Sequence, residues 1–311
     1  MCVGILSLKA HREAVVAASN GVKRAPRASQ RRGRGVAGIA VALVWIGWAI
    51  PVSFAQECAS VDGGAGVVVE IVEQQLLVLD DARVIRLAGI RFPRFAQHGG
   101  VQVNTGMVIR ETLVQHALGK KVKVRHAGSK TDRYGRHLAF IEIGDQAGAV
   151  SLQRKLVEMG LAQVDTPIEA RQCAAPLLIE EDKARLAGAG FWAQGLFAIR
   201  NAADGAMLRG LIGTFQIVQG VVADTTESRG AVTLTFGAGQ KSAFSVLVDA
   251  RTGKLFTPPA LGAAKLKGRS IRVRGWLIYR NGPSMQITHP EQLELLADKE
   301  SGESGSAQHS R

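Results

Sequence analysis

The residues whose types and spacing most directly suggest chemistry lie late in the chain. Between Ser270 and Arg280 the side chains alternate, which puts Arg272, Arg274, Trp276, Ile278 and Arg280 on one face of a strand and Ile271, Val273, Leu277 and Tyr279 on the other. Lys265, Lys267 and Arg269 come just before. A single-stranded nucleic-acid groove needs cations that track phosphates around a ring that stacks on a base. Arg272, Arg274, Trp276 and Arg280 are therefore the candidate binding face, and a solvated barrel face with a half-buried Trp276 is the competing reading. His289, before Pro290, reads as a turn residue rather than a ligand or a base.

The cysteines carry the second possible chemistry, and their meaning depends on the start of the chain. A basic segment ending at Arg34 is followed by an uncharged run from Gly35 to Gln56 with an apolar heart, Val36 to Ile50, and then Pro51-Val52-Ser53-Phe54-Ala55. That order is an export leader, residues 1–55, with cleavage expected after Ala55. An uncleaved inner-membrane anchor is the alternative, because the run is just long enough to span a bilayer. Export places the protein in the periplasm or outside the cell, and Cys2 leaves with the leader. Cys58 and Cys173 then form an even pair in an oxidising compartment, where a disulfide is expected. No Cys-rich or His-rich cluster suggests zinc.

Bulk charge says less than it promises. The 311 residues carry 39 Lys plus Arg against 26 Asp plus Glu, a net charge of +13. Residues 1–55 hold eight basic side chains against Glu13 alone, so more than half of the excess belongs to the leader. Hydrophobic residues at 46% and charged residues at 21% are too apolar for a disordered chain and too interrupted for a multi-span membrane protein.

Elements must position these residues. Short β-rich runs at 67–72, 76–79 and 84–87 precede a helix over 105–117, strands at 122–126 and 138–143, and helices over 150–159 and 175–187. This predicts a mainly β chain with helices (α+β): a five-stranded OB-fold barrel over residues 60–200. Asn201 to Gly205 reads as a linker. Strands at 213–223, 231–236 and 244–248, a short helix at 261–266, and strands at 270–280 and 285–288 predict a second OB-like barrel over 209–298. Pro283 argues against a tight two-residue hairpin at Asn281-Gly282. Residues 299–311 read as a disordered polar tail.

Four blocks in order carry a family resemblance: Val84-Ile85-Arg86-Leu87-Ala88-Gly89-Ile90, Asp132-Arg133-Tyr134-Gly135-Arg136, Leu156 to Ala162, and Ala184-Arg185 with Gly190-Phe191-Trp192. Over about 130 residues the chain resembles the staphylococcal-nuclease-like (thermonuclease) family. The segment from Val273 to Leu277, with Asn281-Gly282-Pro283 and Thr288 to Gln292, resembles a C-terminal domain appended to exported members. The resemblance implies calcium-dependent phosphodiester hydrolysis, which needs carboxylates for the cation and for water, and arginines for the charge developing on phosphate.

By the same resemblance Arg86 and Arg136 occupy the phosphate-binding positions, whereas the acids are replaced. Glu73-Gln74-Gln75-Leu76 stands for Asp-Gly-Asp-Thr, so Gln75 replaces a metal ligand. In Gly89-Ile90-Arg91-Phe92-Pro93-Arg94, Arg91 and Arg94 replace a calcium ligand and the proposed base. Three acids lost and two cations gained change the pocket by about five charges, and each pair of unit charges ~5 Å apart contributes roughly 3 kcal/mol. Glu73 alone does not supply the oxygens that calcium wants. Tyrosines that stack on a base in the family are replaced by Asp165-Thr166-Pro167.

The leading expectation is an exported two-barrel protein that binds nucleic acid or another phosphate-rich polymer at a degenerate site, with no cofactor. One alternative is an active calcium-dependent nuclease with rearranged ligands, Glu73 with Asp80 or Asp81. The other is a non-catalytic envelope scaffold whose partner is a protein. Whether hydrolysis survives is left open by the residues.

Overall fold

The computed structural model describes residues 61–297 apart from 73–74, 94–95, 99–100, 145–148, 238–242 and 257–262. The expected leader, Cys58, Glu73, Arg94 and the C-terminal tail lie outside the described residues.

The N-terminal module begins with a long strand, β1 (Val61–Val72), then β2 (Leu76–Leu79), β3 (Val84–Leu87) and β4 (Gly89–Arg91). A small hairpin, β5 (Ala96–His98) and β6 (Val101–Val103), leads into α1 (Thr105–Ala117). β7 (Lys121–Thr131), β8 (His137–Ile143) and β9 (Val150–Ser151) follow, then α2 (Leu152–Glu158), β10 (Gln163–Asp165), a 3-10 turn (Ile168–Cys173) and α3 (Ala174–Leu186). β1 serves two neighbours: its first half pairs with β7 and its second half with β2. β2 pairs with β3, β7 with β8, and a parallel β3–β8 ladder closes the five-stranded barrel.

Inward side chains of these strands, among them Val68, Ile71, Leu77, Leu79, Ile85, Val122, Val124 and Ile141, form one core with Ile109 and Leu113 of α1 and Leu152 and Leu156 of α2. Asn104 caps α1 by accepting the Met107 N–H, and Ser151 caps α2 by accepting from Arg154. Gly160, at φ +67°, ends the α2 turn where the chain passes Ala189 so closely that a β-carbon would lie 2.1 Å from its carbonyl oxygen.

The C-terminal module starts earlier than the sequence suggested. Its strands and helices are β11 (Ile199–Asn201), α4 (Gly205–Gly210), β12 (Phe215–Val221), β13 (Asp224–Ser228), β14 (Ala231–Thr235), β15 (Ser245–Val248), α5 (Ala250–Gly253), β16 (Ser270–Tyr279), β17 (Pro283–Ile287) and β18 (Leu293–Leu295). Within the expected linker, Asn201 ends the edge strand β11, which is parallel to β12, Asp204 caps α4, and Gly205 begins it. The expected strand at 213–223 is β12, which ends at Val221 and pairs with β16, and the hairpin partner of β14 is a further strand, β13. Of the expected helix at 261–266 the described part is a 3-10 turn, Ala263–Lys265.

The ladders run β11-β12-β16-β17-β15-β14-β13, with no closing ladder among the described residues, so a second closed barrel is not shown. Pro283 pairs with Tyr279, which makes the β16–β17 connection a three-residue loop with Asn281 at φ +58°.

Candidate functional site

Leu76 lies opposite Arg86 across the β2–β3 ladder, so Gln75 falls beside Arg86. On β3, Ile85 and Leu87 point into the core, which leaves Arg86 exposed. β4 begins two residues beyond β3 and brings in Ile90 and Arg91. Gln75, Arg86, Leu87, Ile90, Arg91 and Phe92 line one cavity of about 120 Å³. Three sequence-predicted site residues, Gln75, Arg86 and Arg91, are therefore brought together. Among the described residues Arg86 has no hydrogen-bond or ion-pair partner.

Arg136 precedes β8, whose Leu138 is the register partner of Arg86 on β3. Its guanidinium is already engaged: Nε donates to Asp132 Oδ2 at 2.9 Å, and the ion pair closes to 2.8 Å. The same carboxylate accepts the backbone N–H groups of Tyr134 and Arg136 across the turn. Burial pushes the Asp132 carboxyl up. The Arg136 guanidinium and these N–H groups more than offset that and hold it below its ordinary value. Tyr134 is 64% exposed. The Arg133 and Arg136 guanidinium carbons lie 4.7 and 4.8 Å from its ring centroid.

Arg91 is held by partners on both modules. β4 pairs with β10, which places Asp165 within reach, and Arg91 Nε donates to Asp165 Oδ2 at 2.9 Å. The guanidinium carbon lies 4.5 Å from the Trp276 ring centroid and 5.1 Å from that of Phe215. A guanidinium held by a carboxylate and two rings is a docking group, and its charge is largely spent. The gain of positive charge in the cavity is correspondingly smaller than the replacements alone imply.

The expected face on β16 is also corrected. Arg272, Arg274 and Trp276 share a side of β16 that packs against the N-terminal module, and Arg280 falls in the loop beyond it. Arg274 is 3% exposed and pairs with Glu181 of α3 and Glu294 of β18, each at 2.6 Å. Burial opposes its charge, and the two carboxylates more than restore it, raising its pKa above the ordinary arginine value. Arg272 is likewise buried, with its Nη1 3.1 Å from Asp182 and 3.3 Å from Glu294. Only Trp276, at 37%, and Arg280 are exposed. His289 is fully buried, not a plain turn residue: Nε2 donates to the Thr166 carbonyl at 2.9 Å, and Nδ1 faces Glu291 at 3.1 Å. Alternation reveals a shared face but not what covers it.

Two groups escaped the sequence reading. Gln153, completely buried on α2, donates to the Ala88 and Ala139 carbonyls and accepts from Ile141 N–H, which fixes the entry to β4. Asp165 is the partner of Arg91, a pairing 74 positions apart that leaves no local signal.

The described donor set does not fit calcium. Among the described residues lining the cavity, a cation that takes about six to eight oxygens finds one side-chain amide, from Gln75, and two guanidinium groups. Nor do the described residues group three His, Cys, Asp or Glu side chains elsewhere. Of the rearranged ligands, Glu73 lies outside the described residues, Asp80 accepts the Val67 N–H, and Asp81 pairs with Arg83 at 2.6 Å. What the cavity can do is receive an anion on Arg86.

No curated protein matches the chain. Residues 84–194 match the family model described as Staphylococcal nuclease homologue.

Proposed function

The protein carries a staphylococcal nuclease-like domain at residues 84–194, and from that premise we propose that it binds single-stranded nucleic acid through a backbone phosphate at the Arg86 cavity without calcium-dependent cleavage. The observation that carries this reading is Arg86 itself, an exposed guanidinium with no partner among the described residues, on the wall of a cavity whose described lining holds no carboxylate. Tyr134, exposed beside Arg136, supplies the stacking surface that makes nucleic acid the favoured phosphate-rich polymer. The closed barrel is the rigid support that keeps β2, β3 and the hairpin before β8 in register. The protein acts outside the cytoplasm after removal of residues 1–55, so the partner is an extracellular or periplasmic polymer.

The test is to incubate the purified protein with single-stranded DNA, RNA and duplex, each with calcium or EDTA. Binding that weakens with salt, leaves the strand intact and is lost in Arg86→Met is the expected result. Calcium-dependent cleavage would overturn it, as would binding undiminished in Arg86→Met. An absence of all binding would favour the protein scaffold instead.

A further inference from the structure

β4 and β10 form a two-stranded sheet of their own, only three residues long on each side. A ladder this short is marginal by itself and depends on what packs around it. It nevertheless carries Ile90 and Arg91 of the cavity wall. On one side Gln153 holds Ala88, and Glu181 accepts the Val164 N–H at 2.7 Å. The other restraints come from the C-terminal module and fall on Val164, on Thr166 and, through two rings, on Arg91. Arg274 donates to the Val164 carbonyl at 3.3 Å, while its ion pair fixes Glu181. Asp165 holds Arg91 against Trp276 and Phe215. His289 donates to the Thr166 carbonyl.

We infer that the C-terminal module sets the wall of the Arg86 cavity by clamping β10 and β4, which makes Trp276, Arg274 and His289 positioning residues for the cavity's ligand. The ligand rests on the phosphate-binding reading above; the clamp does not. Its consequence is a coupling between sites: docking of one module raises the affinity of the other for an anion, and a bound anion tightens the docking.

Hydrogen exchange in the full chain tests the clamp without any ligand. In Trp276→Leu, and separately in His289→Leu, amides of Gly89–Arg91 and Gln163–Asp165 are expected to exchange about tenfold faster, while Lys121–Thr131 stays as protected as before. Trp276→Phe and His289→Gln, which keep a ring face and a donor, should restore most of the protection. In the same proteins, affinity for a 5′-phosphorylated trinucleotide should fall by about fivefold or more in the leucine variants. Unchanged exchange at both segments in both leucine variants would overturn the inference, whatever the trinucleotide does. A uniform rise across β7 as well, in both variants, would also overturn it by showing a general loss of fold. Failure of the wild type to bind the trinucleotide would refute the phosphate reading alone.

Discussion

Arg91 is held between a carboxylate and two rings, and those surroundings show what an arginine accomplishes there. A carboxylate there would face Asp165 and would have nothing to offer Trp276 or Phe215. Putting aspartate back at 75 and 91 is therefore expected to leave the protein without measurable calcium affinity by calorimetry and to lower its melting temperature. A cation–π contact of about 0.5 to 2 kcal/mol is lost, and two acids are set against each other. Recovery of calcium binding in a variant as stable as the wild type would contradict this account of Arg91.

Asp132 invites the opposite experiment. Asp132→Asn keeps an oxygen for the turn N–H groups but releases Arg136, so binding to a phosphorylated oligonucleotide should tighten at neutral pH. The depressed pKa of Asp132 gives a sign to the pH dependence. The stability contributed by its ionised form is complete above the unfolded value of about 4 and is lost as pH falls through the lower folded value. Titration of this group should leave the hairpin intact between about pH 5 and 8.

At the scale of elements, the helices and barrel strands were legible because their signals are local. Asn104 and Gly119 bracket α1, with Ile109 and Leu113 spaced along one side, and α1 occupies the predicted span. Val84 to Leu87 alternates and becomes β3. The short ladders β4–β10 and β5–β6 left no such trace, since three residues carry no periodicity and their pairing depends on chain about 75 residues away for Gly89–Arg91. Gly160 shows how tightly one loop is specified. Gly160→Ala combines a left-handed backbone with a backbone clash against Ala189, and should destabilise by more than the roughly 1 kcal/mol of an unstrained glycine replacement, read as the denaturant midpoint.

For the whole molecule, the arginines of β16 were the hardest to read. Their spacing is equally consistent with a nucleic-acid groove and with a buried seam, and only the carboxylates of α3 and β18 decide between them. Arg274→Met leaves Glu181 and Glu294 without their shared cation and should lower stability by about 3 to 5 kcal/mol in urea denaturation. Cys173 is buried just before α3, and its expected partner is Cys58. Mass spectrometry of the protein without residues 1–55 should find no alkylatable thiol until reductant is added, and two afterwards.

The seam also has a consequence in time. Val164 waits for Arg274, 110 positions later, and Thr166 for His289, 123 positions later. A chain synthesised from its N-terminus can close the barrel long before those residues exist. The pocket is thus completed last, and a molecule clipped before β16 would keep the look of the family while lacking the finished wall of its site.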